Sequence, residues 1–319
     1  MLCLFEPRED AIMKIAIVGL GFISLSEFLP ALMKMKDIEI VCAIEPNQER
    51  LQDAARKYNI PKLFTSVEEM MEVDIDAALV LTPYKATFGI VRELLARGID
   101  VFSEKPMAET LEQAEDLVRL AEEKNAIYMI GLNRRFADSF LRAKQLMPIA
   151  KMELVSVEKV KHMTYYHDKP MLDFGIHSLD VLLWLCDGKV TSCTVNYTRM
   201  PDGRESSVQV QLSFDNGVKG QFLMSCCAGL WEETVRMFGH ARTIEIQAPN
   251  VFKVKENGQV TETVFGVTGP GGGSNSFGFQ QELEHFAECV RTRAQPLTSG
   301  KVALYTQQVM EMVYKQMGK

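Results

Sequence analysis

The chain has 319 residues, beyond the size at which one hydrophobic core usually keeps growing, so two domains are expected. Apolar residues make up 47% and charged residues 24%, and Asp+Glu 42 against Lys+Arg 35 gives a formal net charge of −7. No basic run offers the face that nucleic acid requires, and no apolar stretch is long enough to span a bilayer, so both partners are set aside in favour of small polar substrates.

Seven cysteines are scattered with no CxxC pair, the pattern of reduced thiols in a cytoplasmic protein. The segment MLCLFEPREDAI lacks the basic start of a secretory signal and carries Glu6, Glu9 and Asp10. Residues 1–12 are therefore read as an extension, with Met13 the alternative functional start.

In chain order, the apolar run Lys14–Val18 predicts a doubly buried strand that enters Gly19-Leu20-Gly21, followed by a helix over about Phe22–Met35. Ile38–Ile44 predicts a second strand and Asn47–Tyr58 a helix. Ala77–Leu81 predicts a strand, Thr87–Ala96 a helix and Val101–Ser103 a strand. Thr110-Leu-Glu-Gln113 is a capping box opening a helix to Lys124, and Ala126–Ile130 predicts a further strand. This alternation specifies an α/β fold with a doubly wound parallel sheet of the Rossmann type over 13–131. Beyond about residue 150 the texture changes. Val208–Phe214 alternates apolar and polar, Asp215-Asn216-Gly217 supplies a turn, Val218–Met224 returns, and Glu256-Asn257-Gly258 marks another hairpin. Residues 132–319 are thus expected to form a substrate domain with an antiparallel sheet covered on one face. A loop, Gly269–Gly278, precedes two closing helices, Phe279–Thr292 and Lys301–Gln316.

In Gly19-x-Gly21-x-x-Ser24 the first glycine permits the tight turn and the second lets backbone approach a pyrophosphate. The small third residue lets helix and strand pack closely. Gly19, Gly21, Phe22, Ile23 and Ser24 are the candidate pyrophosphate residues. Glu45 ends the second strand, where a carboxylate accepts from the ribose hydroxyls of NAD. A like charge at about 4 Å costs roughly 1 to 4 kcal/mol across effective dielectrics of about 80 to 20, so NAD is favoured over NADP. Pro46 and Asn47 add no opposing cation, and Arg50 is the nearest one in sequence.

Glu104-Lys105-Pro106 follows a strand at its carboxyl end, the edge where open α/β sheets bind ligands. In Leu172–Leu185, positions Asp173, His177 and Asp180 fall within about 60° of one another on a helix and form one polar stripe on an otherwise apolar element. Such groups need partners. An imidazole titrates near 6.5, so His177 is assigned the proton of a hydroxyl, with Asp173 orienting it. Neutralising a lysine at pH 7 costs roughly 4 to 5 kcal/mol, so Lys105 is read as a cationic donor that stabilises a developing alkoxide. No third His or Cys is spaced to complete a metal site, and none is expected.

Together these residues resemble the Gfo/Idh/MocA family, which contains glucose-fructose oxidoreductase and inositol 2-dehydrogenase. The likeness rests on the GxGxxS turn, Thr82-Pro83, Glu104-Lys105-Pro106, Gly131-Leu-Asn-Arg134-Arg135-Phe, Asp173-x-x-x-His177-x-x-Asp180, Gln281-Glu-Leu-Glu-His-Phe and Pro296-Leu-Thr-Ser-Gly300. The resemblance implies a Rossmann domain followed by an α/β domain with a large, mostly antiparallel sheet, whose open face forms homodimers or homotetramers. It also implies hydride transfer between nicotinamide and a secondary alcohol or ketone of a sugar, sugar derivative or cyclitol, with Lys105, Asp173 and His177 as catalytic set. Thr82, Pro83, Glu104 and Lys105 join the cofactor-binding residues. Arg134 and Tyr166 are candidate substrate residues, the arginine having a structural ion pair as its other reading. Departures from the family pattern are Tyr84 and Thr87 in place of an Asn and a His, Glu27, and Lys169-Pro-Met-Leu172 before the catalytic aspartate. Two other functions stay open, a non-catalytic sensor of dinucleotide or sugar and an imine reductase.

Overall fold

The computed structural model describes residues 12–70, 72–162, 168–265 and 277–318, which fall into two compact units. In the first, β1 (Met13–Val18), β2 (Ile38–Ile44), β3 (Lys62–Phe64), β4 (Ala77–Val80), β5 (Asp100–Glu104) and β6 (Tyr128–Gly131) form a parallel sheet in the order β3-β2-β1-β4-β5-β6. Strand order reverses between β1 and β4, so the crevice at their carboxyl ends is the place for a ligand. β4 is buried throughout, as strands covered on both faces should be.

The helix expected over Phe22–Met35 is shorter and irregular, with a π-helical turn at Ser24–Phe28 leading into α1 (Leu29–Leu32). Pro30 accounts for this, because it has no N–H to donate and its ring crowds the carbonyl four residues back, which a wider turn relieves. α2 (Gln48–Tyr58) is capped by Asn47, whose side chain accepts from the Arg50 amide at 2.9 Å. α3 (Tyr84–Ala96) begins right after Pro83, three residues earlier than predicted. α4 (Leu111–Lys124) is capped by Thr110, but Gln113 reaches back to the Glu109 amide at 3.1 Å, one residue beyond the usual capping-box partner.

In the second unit, β7 (Leu154–His162), β8 (Val190–Arg199), β9 (Glu205–Phe214), β10 (Lys219–Ser225), β11 (Cys227–Gly239), β12 (Arg242–Gln247), β13 (Val251–Glu256) and β14 (Gln259–Val264) form one sheet. Its order is β14-β13-β12-β11-β7-β10-β9-β8, and only β7 with β10 run parallel. Val208, Val210, Leu212 and Phe214 alternate inward as their period predicts. The hairpin at Asn257-Gly258 has φ of 53° and 74°, the paired positive values of a two-residue turn matched to strand twist. Helices α5 (Asp138–Leu146) and α6 (Ile176–Cys186) pack on this sheet, α6 against β7 and β10.

Two helices close the chain, α7 (Phe279–Thr292) and α8 (Gly300–Gln316). Chain order assigns all of 132–319 to one domain, yet Phe279–Leu304 belongs to the first unit. The apolar face of α7 carries Phe279 and Phe286, whose rings meet Phe28 at 5.3 Å and Phe102 at 5.7 Å in edge-on contacts.

Candidate active site

Gly19, Gly21, Glu45, Thr82 and Pro83 line one cleft of about 720 Å³ at the carboxyl ends of β1, β2 and β4. Gly19 has φ of 94°, and a Cβ there would lie 2.8 Å from the Leu81 carbonyl oxygen. Gly21 has no atom within 4 Å of where its Cβ would stand, so the turn presents bare backbone to open space. That pairing fits a dinucleotide, one glycine serving the turn and the other the approach of a pyrophosphate. Ser24 is fully buried, as close packing requires, whereas Phe22 is 85% exposed and neither they nor Ile23 line the cleft.

Glu45 is buried, and both its oxygens are engaged. Oε2 accepts from the Leu20 amide and Oε1 from the Asn47 amide, each at 3.0 Å. Each oxygen retains a lone pair for a ribose hydroxyl. Arg50 lies 3.5 Å from the same carboxylate.

Glu104 ends β5 beside Gly131 of β6, and its carboxylate accepts from the Lys105 amide at 3.1 Å. Lys105 is half-buried. It belongs to the first unit and Asp173 and His177 to the second.

From Met171 to Cys186 every residue is buried except Asp173 and His177. Asp173 sits in a π-helical turn, Met171–Gly175, that runs directly into α6. Wide turns of this kind recur at functional positions. The expected three-residue stripe is divided. Asp180 is 1% exposed and accepts from Arg135 at 2.8 and 2.6 Å and from the Thr306 hydroxyl at 2.9 Å, so it is spent on holding α6 in the core.

Residues 13–132 match the family described as "Oxidoreductase family, NAD-binding Rossmann fold", and 162–245 match "GFO/IDH/MocA C-terminal domain". The chain belongs to the Gfo/Idh/MocA oxidoreductase family. It is accordingly an enzyme with an NAD-binding domain. YceM of Salmonella typhimurium is 27% identical over 95% of this chain and 97% of its own. The scyllo-inositol 2-dehydrogenase (NAD(+)) of Bacillus subtilis is 23% identical over 89% and 88%. The crystal structure of a dehydrogenase, MviM, from Clostridium difficile superposes with a TM-score of 0.88 at 24% identity, covering 95% of this chain and 99% of that one.

Against the Gfo/Idh/MocA pattern, Thr87 is the departure with a visible consequence. Its hydroxyl is buried 3.1 Å from that of Thr82 and bonds the Thr82 carbonyl at 3.3 Å, tying α3 to the strand end. Arg134 is also buried. Its guanidinium donates to Glu233 at 3.2 and 2.9 Å and stacks 4.6 Å over Phe277, and Lys159 lies 3.6 Å from the same carboxylate. Burial by itself would raise the Glu233 carboxyl, but the two cations outweigh it and hold it at about 2. Tyr166 and most of the loop Gly269–Gly278 lie outside the described residues. Among those described, no three His, Cys, Asp or Glu gather to hold a metal, and no helix is long and apolar enough to cross a membrane.

Sequence reading missed the Arg50–Glu45, Arg135–Asp180 and Arg134–Glu233–Lys159 contacts. Asp180 gave notice as an acid on an apolar helix that had to find a cation, Arg134 had a structural ion pair as its other reading, and Arg50 was noted as a cation near Glu45, but the partners Arg135, Glu233 and Lys159 were not named.

Proposed function

We propose that the protein is a dehydrogenase that uses NAD in preference to NADP and acts on a secondary alcohol, or in reverse a ketone, of a sugar, sugar derivative or cyclitol. The observation that carries this reading is that Asp173 and His177 alone are only half-buried on a segment otherwise wholly buried. Polar side chains left accessible on such an element are there for a ligand. The inositol dehydrogenase named among the relatives supports the substrate class.

When bound, the nicotinamide supplies the hydride acceptor at its C4. Gly19 and Gly21 admit the pyrophosphate and Glu45 accepts from the ribose. Lys105, as an ammonium, donates to the substrate oxygen and stabilises the charge that builds there. The His177 imidazole takes the hydroxyl proton, and the Asp173 carboxylate stabilises the imidazolium that results. The reading extends to a homodimer or homotetramer through the second unit's sheet.

The test is a panel of free, phosphorylated and nucleotide-linked sugars and cyclitols followed by NADH absorbance. On the best substrate, K105A and H177A should each lose about 100-fold or more in kcat while still binding NADH. Unchanged turnover in both variants would refute the catalytic assignment.

A further inference from the structure

Lys159 is 3% exposed, a lysine taken almost wholly out of water on the inward face of β7. Its direct cross-strand neighbour on β11 is Glu233, whose carboxylate lies 3.6 Å from the ammonium. Burying a charge is costly, and Glu233 does not account for it. Arg134 already meets that carboxylate with two bonds, at 3.2 and 2.9 Å, so the single negative charge has a counterion without the lysine. A second buried cation is more than the acid requires.

The ammonium also meets an aromatic ring. Nζ stands 4.6 Å from the centroid of Phe174, within the range at which a cation is drawn to a ring face, and the attraction is stronger where water is excluded. Phe174 is buried in the π-helical turn Met171–Gly175, directly after Asp173. Such wide turns are rare, so contacts from outside must hold this one. Two of them fall at one point of the sheet. Met224 of β10 pairs with Lys159 in the parallel register, and a Cβ on Gly175 would lie 3.2 Å from the Met224 sulfur. Phe174 is thus seated on a side chain of β7 and Gly175 on a side chain of β10, which leaves Asp173 as the half-buried residue of the turn.

We propose that Lys159 is a positioning residue for Asp173, its ammonium fixing the Phe174 ring and through it the turn that carries the aspartate. The proposal rests on the catalytic reading of Asp173 and His177. A turn that slides on the sheet takes the carboxylate with it, and a shift of about 1 Å in a catalytic group can cost on the order of 100-fold in rate. Glu233 serves the same end by holding the ammonium over the ring.

The experiment measures kcat and KM for the best sugar or cyclitol of the panel with NAD, using wild type, K159M, F174L, K159M/F174L, K159R, F174Y and D173A, with calorimetry of NADH to confirm that each variant is folded. K159M and F174L should each lose about tenfold or more in kcat while KM stays within about threefold. The double variant should lose no more than the worse single one, because both break the same contact. K159R keeps the cation and F174Y keeps the ring, so both should stay within about threefold of wild type. Should K159M fail to fold, F174L and F174Y, which alter no charge, decide alone. Wild-type kcat in F174L, losses that multiply in the double variant, or F174Y as impaired as F174L would each overturn the role of Lys159 and leave the catalytic reading standing. Wild-type turnover in D173A would instead remove that reading, and the proposal with it.

Discussion

The Leu20 amide donates to Glu45 Oε2 at 3.0 Å, so the side chain that ends the second strand grips the glycine turn that follows the first. Glu45 thus holds the turn in addition to any contact with ribose. In E45A the buried amide loses its acceptor, which costs about 1 to 3 kcal/mol, and the turn is released. E45A should therefore lose that much stability in urea denaturation and bind NADH at least about tenfold more weakly. Wild-type stability with weakened NADH binding would show that Leu20 does not depend on Glu45.

The two turn glycines should fail in different ways. At Gly19 a side chain meets the Leu81 carbonyl and an unfavourable φ, so G19A should unfold at lower denaturant than wild type. At Gly21 there is open space, so G21A should keep its stability within about 0.5 kcal/mol while its methyl group stands in the path of the pyrophosphate. Calorimetry with NADH should then show binding weakened in G21A. G21A that binds NADH as wild type does would place the pyrophosphate elsewhere.

The parallel sheet was legible because β1, β2 and β4 are apolar on both faces and each is followed by a punctuating turn or cap. β3 escaped notice, since three residues, Lys62-Leu63-Phe64, give no period to read. β7 was hidden for another reason. Lys159 is buried on the inward side with Val155 and Val157, while Leu154 and Val160 fall on the outward side, so the alternation that marks a half-covered strand is scrambled. The half-buried pair Asp173 and His177 could be picked out by spacing. The arginines could not, because Arg135 reaches 45 residues along the chain to Asp180 and Arg134 reaches 99 to Glu233, distances over which sequence carries no pairing signal.

Arg135 and Asp180 form a nearly dry, two-bond pair, with side chains 6% and 1% exposed. Removing one member of such a pair strands the other charge. R135A or D180A should cost about 3 to 5 kcal/mol in chemical denaturation. R135M/D180L, which removes both charges, should recover much of that loss, because the penalty lies in the unpaired ion. Full additivity of the single losses would show that the two do not act as a pair. His177 lies one turn from Asp180 on α6, so variants that survive folding should also lose turnover.

The Glu233 carboxyl gives stability a definite dependence on pH. Burial opposes its ionisation, but Arg134 and Lys159 reverse the balance and bring its folded value to about 2, against an ordinary 4.5. A carboxyl depressed on folding contributes stability that is complete above its unfolded value and is lost as pH falls through the folded one. The loss should therefore run from about pH 4.5 down to about pH 2, and it should vanish in E233Q, which binds no proton there. E233Q should already be less stable than wild type at neutral pH, since two buried cations then lack their counterion. Urea denaturation of both proteins across pH 2 to 7 checks this, the expected result being curves that converge towards the acid end. Parallel curves would mean that the proton is taken up elsewhere and that the Arg134–Glu233–Lys159 cluster does not govern the acid response.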